Sequence, residues 1–139
     1  GFRYWHRPKA TATANAVVIS GDGAFLSGGL GIEAAFQEKA PIVVVIDNNG
    51  GLTTISQQQE RLFGHDRHVA TDFRDIPFHT MCEGLGGYGE LVEDPDEIVP
   101  AVRRALSSGL TACVNVRTRG VISPIVAAVT SRRDKASIE

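Results

Sequence analysis

The sequence predicts an α/β domain, three layers deep, with a mostly parallel sheet and helices on both faces. Three observations carry this. Strand-like and helix-like segments alternate along the chain, from NAVVIS (15–20) to LTACVNV (110–116). The strand-like runs are continuously apolar, as strands covered on both faces require. Glycine-rich turns follow the first two such runs, GDG at 21–23 and NNGG at 48–51.

Each element has its own reason. NAVVIS is short, apolar and stopped by GDG, which suits a buried parallel strand. LGIEAAFQE (30–38) puts Leu30, Ala34, Ala35 and Phe36 on one side and Glu33, Gln37 and Glu38 on another, a helix entered through the Ser27-Gly28-Gly29 turn. PIVVVID carries five consecutive aliphatic residues, Ile42 to Ile46, the plainest strand in the chain. Residues 52–70 show no period and read as a long connection. A helix is expected at about 75–84 and a strand at 88–92. Asp94 then serves as N-cap, with Pro95 at the first helical position and acids in the first turn. In the helix that follows, Ile98, Val102, Ala105 and Leu106 form an apolar stripe, and Gly109 closes it. LTACVNV is the last buried strand. The boundaries expected are an unmatched segment at 1–14, a ligand-binding domain at 15–124 and a polar tail at 125–139.

Composition narrows the function. The 139 residues suffice for one domain with a sizeable core. A formal net charge of −2 gives no electrostatic case for nucleic acid or acidic lipid. No apolar run is long enough to span a membrane, and no secretory segment follows the N-terminus. Cys82 and Cys113 have no metal-ligand spacing and read as buried thiols in a reducing, cytoplasmic setting, with a disulfide as the alternative. The chain begins with Gly1, and GFRYWHRPKATATANA matches no packed element, so the sequence reads as a fragment or as rearranged at that end.

The chemistry lies in the two turns. In an open parallel sheet, ligands sit outside the carboxyl ends of the strands, and both GDG and NNGG follow strands. The carboxylate of Asp22 and the amide oxygen of Asn49 are hard ligands. Mg²⁺ takes one or two carboxylates together with phosphate oxygens and water. Gly50 and Gly51 permit a backbone carbonyl to approach, and N–H groups of Gly23 and Ala24 ahead of a helix can meet phosphate. The residues alone therefore suggest a divalent metal bridging a phosphorylated ligand to the strand ends. Each turn alone is as well explained as an ordinary tight turn; the pair, with a helix and a buried strand between, is more specific.

The spacing of Asp22 and Asn49 within GDG-(helix)-PIVVVI-D-NN resembles the diphosphate-binding motif of thiamine-diphosphate-dependent enzymes. GDGAF and PIVVV, with EGLGGYGELVEDPDEIVPAVRRALSSGLTACVNVRT further on, are similar to the branch containing acetolactate synthase, benzoylformate decarboxylase and oxalyl-CoA decarboxylase. The resemblance covers about residues 15–124. It implies that Asp22 and Asn49 are side-chain Mg²⁺ ligands and that Gly51 adds a backbone carbonyl. It implies that Gly23 and Ala24 offer N–H groups to the diphosphate, and that Asn48 supports the turn. The implied activity is decarboxylation or carboligation of 2-oxo acids or acyl substrates by a lyase or transferase, with the cofactor as electron sink.

The chain departs from that family in length. Nothing here can be the pyrimidine-binding domain that supplies the family's activating glutamate; Glu33 reads as a solvated helical acid. The helix after GDG has Gly31 where the family often has an acid. The isolated chain is thus expected to be inactive without that domain, which a missing N-terminal region or a partner chain in a homo- or hetero-oligomer would supply. Two alternatives are a non-catalytic Mg²⁺-dependent nucleotide or phosphate binder and an inactive truncated remnant. His65, Asp66 and His68 read as solvated loop residues, with a substrate contact as the second possibility. His79 reads as structural, Arg117 and Arg119 as surface, and VISPIVAAV (121–129) as packing on the domain or a partner.

Overall fold

The computed structural model describes residues 16–121 and 124. The segment at 1–14, the tail at 125–139 and nearly all of VISPIVAAV lie outside the described residues. The elements in order are β1 (Ala16–Gly21), α1 (Asp22–Gly28), α2 (Ile32–Gln37), β2 (Ile42–Asn48), α3 (Thr53–Phe63), α4 (Phe78–Gly84), β3 (Tyr88–Val92), α5 (Ile98–Ser107) and β4 (Ala112–Arg117). A 3₁₀ turn at Gly29–Gly31 joins α1 to α2, and another at Pro95–Glu97 leads into α5.

The four strands form one sheet in the order β1-β2-β4-β3, and every pairing is parallel. Side chains alternate between its faces. Val44 and Ile46 of β2 and Cys113 of β4 point to the face covered by α1, α2 and α4, where they pack with Phe25, Ile32, Phe78 and Cys82. The rings of Phe25 and Phe78 meet edge to face at 5.4 Å and lock α1 against α4. Val43, Ala112, Val114 and Val116 point the other way, onto Ala101 and Ala105 of α5. Two cores on opposite faces give the expected three layers. Parallel pairing also puts the loops after β1 and β2 at one rim, since Gly21 lies beside Asp47 in register.

Three expected features are corrected. β1, expected as a buried strand, is the exposed edge of the described sheet, with Val17, Val18 and Ile19 all exposed. The helix expected at 30–38 is α2, but a separate helix not expected there, α1, precedes it and begins at Asp22, directly from the strand. Asp22 is a favourable first-turn residue because its carboxylate faces the positive end of the helix. The glycine-rich stretch at 28–31 separates α1 from α2 and leads into the latter. Residues 52–70 are not all connection: α3 fills 11 of them. Its periodicity was invisible because no residue of α3 is buried in the described structure. Its half-buried face carries Thr53, Ser56, Gln57 and Glu60, all polar, and so leaves no apolar stripe in the sequence.

Other expectations hold in detail. Asp94 caps its turn by accepting the Asp96 N–H at 3.0 Å. Gly109 leaves α5 with φ +66°, a conformation open to glycine at little cost. Cys82 and Cys113 are both free and buried. Burial pushes the Cys82 thiol up to about 11 and the Cys113 thiol up to about 12.

Candidate functional site

The GDG and NNGG turns are one structure. Asp22 is buried at the first position of α1, with 3% of its surface exposed. Its Oδ2 accepts the N–H groups of both Gly50 and Gly51 at 2.9 Å. Its Oδ1 accepts the Gly23 N–H at 2.7 Å. A buried carboxylate is costly unless charge-assisted hydrogen bonds replace water. Here three backbone donors and the helix N-terminus do so.

The second turn is held from its other side by residues 71–73. Leu52 N–H donates to the Thr71 carbonyl at 2.7 Å, and Phe73 N–H donates to the Gly50 carbonyl at 2.8 Å. These bonds flank an isolated bridge between Gly51 and Asp72. They use the Gly50 carbonyl and leave that of Gly51 out of the bridge. The packing is too close for a side chain at Gly51, where a Cβ would lie 2.4 Å from the Thr71 carbonyl oxygen. Gly50 has φ +80°, which turns the chain sharply between Asn49 and Gly51. Asn49 is half-buried, and its Oδ1 accepts the Thr53 hydroxyl at 2.9 Å in the first turn of α3.

The structure therefore brings Asp22, Gly23, Asn49 and Gly51 together around one turn. Ala24 follows in α1 and is exposed. The Gly23 N–H is already engaged by Asp22. Asn48 points away from this group, into the sheet: its amide donates to Asn115 Oδ1 at 3.1 Å and to the Ile76 carbonyl at 3.5 Å.

The flanking loop carries a charged clamp. His68 Nδ1 lies 2.9 Å from Glu60 Oε1 on α3, and its Nε2 lies 2.9 Å from Asp72 Oδ2. A ring between two carboxylates needs both nitrogens protonated to donate to both. The Asp72 hydrogen bond accordingly raises the His68 pKa above its ordinary value, and Glu60 adds to it. His65 instead pairs with Asp66 in full solvent exposure. Arg117, expected at the surface, bridges Glu93 and Asp75 at the rim. Sequence reading missed Asn115, an amide inside an apolar strand, and missed the clamp, whose three residues are scattered between positions 60 and 72.

Residues 7–116 match the family described as thiamine pyrophosphate enzyme, C-terminal TPP binding domain. The chain belongs to this family. It is 38% identical over 103 residues to a probable acetolactate synthase of Mycobacterium bovis, covering 73% of this chain and 18% of that protein. It is 28% identical over 130 residues to a 2-hydroxyacyl-CoA lyase of Oryza sativa subsp. japonica, covering 84% of this chain and 20% of that protein. Among solved structures it is similar to benzoylformate decarboxylase from Polynucleobacter necessarius, with a TM-score of 0.67 and 25% identity, over 78% of this chain and 20% of that one. The chain thus corresponds to the C-terminal TPP-binding domain of larger TPP enzymes and spans about a fifth of the relatives it matches. No described helix is long and apolar enough to cross a membrane.

Proposed function

We propose that this domain anchors thiamine diphosphate through Mg²⁺, as part of an enzyme that decarboxylates or ligates 2-oxo acids or acyl substrates. The observation that supports this best is the tie between Asp22 and the Gly50–Gly51 turn. It places a buried carboxylate against the loop that carries Asn49 and the Gly51 carbonyl.

The donor set fits a hard cation that arrives with its phosphates. Each carboxylate oxygen has two lone-pair sites, and Asp22 Oδ1 accepts one bond from within its own helix. Asn49 Oδ1 likewise has one accepted hydrogen bond and a second lone pair. Among the described residues no three His, Cys, Asp or Glu side chains converge as a metal site. One carboxylate, one amide and one carbonyl are too few for a stand-alone cage, so diphosphate oxygens and water complete the shell. Asp22, Asn49 and Gly51 are the proposed metal ligands. Ala24 N–H, together with Gly23 if it releases Asp22, faces the diphosphate.

Thiamine diphosphate, when bound, supplies the nucleophilic carbon and electron sink of this chemistry. The chain's own residues bind and orient it; no described residue is assigned an acid–base step. A pyrimidine-binding domain, from a missing N-terminal region or a partner chain in an oligomer, would supply the activating glutamate. The isolated chain would then bind cofactor without turnover.

Thermal melts test this. Thiamine diphosphate with Mg²⁺ at about a hundredfold over Kd should stabilise the chain by about 2.7 kcal/mol. ADP with Mg²⁺ should not. Equal stabilisation by ADP points instead to a general diphosphate binder.

A further inference from the structure

Asn115 is out of place in β4. Its neighbours Ala112, Cys113, Val114 and Val116 are buried and apolar, and Asn115 itself is 1% exposed. By alternation it shares the face of Cys113, beside Ile46 in register and one pleat from Asn48. An amide there is costly unless it is hydrogen-bonded.

Its bonds form a directed chain. The Asn48 amide donates to Asn115 Oδ1 at 3.1 Å. The Asn115 amide in turn meets His79 Nδ1 at 3.3 Å, at the start of α4. With Oδ1 committed to Asn48, the group facing His79 is an N–H donor. His79 Nδ1 accepts from it in the tautomer that carries its proton on Nε2. Asn48 also reaches the Ile76 carbonyl, and its own carbonyl accepts the Thr118 N–H at 2.9 Å. The residue immediately before Asn49 is thus held by β4, by the segment before α4 and by the chain leaving β4.

We propose that Asn115 is a positioning residue for the cofactor loop. Through Asn48 it fixes the end of β2, and so the direction in which Asn49, Gly50 and Gly51 leave the sheet. His79 meets the other end of the Asn115 amide. The consequence for the loop stands on the hydrogen bonds alone; the consequence for cofactor affinity rests on the function proposed above.

Asn115→Leu tests this, because leucine is close in size and suits an apolar strand. In the ligand-free chain, amide exchange at Gly50 and Gly51 should speed up by about tenfold, while core amides of α5 stay as slow as before. The Kd for thiamine diphosphate with Mg²⁺ should rise by about tenfold, the low end of what supporting residues contribute to metal sites. Asn115→Asp keeps the acceptor for Asn48 and should restore slow exchange; if the leucine variant does not fold, Asn48→Ala, which removes the donor of the same bond, carries the test and should by itself speed exchange at Gly50 and Gly51. Adding Asn48→Ala to Asn115→Leu should bring little further loss, since the two act as one unit. Unchanged exchange at Gly50 and Gly51, or equal acceleration throughout α5, overturns the proposal. If the loop amides respond but the wild-type chain binds no thiamine diphosphate, the positioning role stands and the proposed function fails.

Discussion

Asp22 accepts the Gly51 N–H at 2.9 Å across 29 residues of sequence. This one bond joins the two turns into a single loop pair at the carboxyl rim of a parallel sheet. The carboxylate serves a fold and a site together. It satisfies donors that would otherwise be buried unpaired, and under the function proposed above it is also a metal ligand.

Asp22→Ala removes the acceptor of three backbone N–H groups at once. Hydrogen bonds to a charged group contribute about 1.5–3 kcal/mol each, and some of these donors will find water. We expect a loss of about 3 kcal/mol in urea unfolding, together with the loss of any Mg²⁺-linked stabilisation. A variant that melts normally and still responds to Mg²⁺ with thiamine diphosphate would remove Asp22 from the metal site.

Two glycines in the loop pair should respond differently to alanine. At Gly51 a Cβ meets the Thr71 carbonyl oxygen at 2.4 Å, which is backbone held in the bridge to Asp72. At Gly23 it meets Leu52 Cδ2 at the same distance, the far end of a side chain that can rotate. Gly51→Ala should cost about 2–3 kcal/mol and open the turn, while Gly23→Ala should cost less than about 1 kcal/mol. Denaturant midpoints of the two variants decide this; equal costs would mean that the strap at 71–73 is soft.

The His68 clamp gives the loop a pH dependence with a definite sign. Its folded pKa lies above the ordinary 6.5, raised by Asp72 and Glu60. Its stabilising contribution is therefore complete below 6.5 and disappears as the pH rises through the raised value. The melting-temperature difference between wild type and His68→Gln should be largest on the acid side and shrink toward the alkaline side. A difference that grows with pH contradicts a protonated ring between the two carboxylates.

The buried thiols should be inert in the folded chain. At about pH 8 only a small fraction of either is thiolate, since burial holds them near 11 and 12. Mass spectrometry after iodoacetamide should find both unlabelled in native buffer and both labelled in denaturant. Rapid native labelling of Cys82 would show that the face under α4 opens readily.

How much of this was legible depends on what each residue packs against. Ile42–Ile46 announced β2 because both faces of that strand are covered. Asp94 announced its turn because capping is local chemistry. The helix α3 could not be read, since no residue of it is buried and its sequence carries no stripe. The helix α1 was missed because an acid between glycines also suits a turn. Asp22 and Asn49 were singled out by residue type and spacing and Gly51 by the family resemblance, and the three share one loop pair. Asn115 and the His68 clamp were missed because their partners lie far away in sequence or in a segment read as irregular.

The most direct test of the central claim is calorimetric titration of thiamine diphosphate into this chain, first with Mg²⁺ and then with EDTA. The account predicts binding at one site with the metal and none with the chelator, and loss of that binding in Asp22→Ala. Binding of equal strength in EDTA, or none in either condition from a chain shown to be folded, would contradict it.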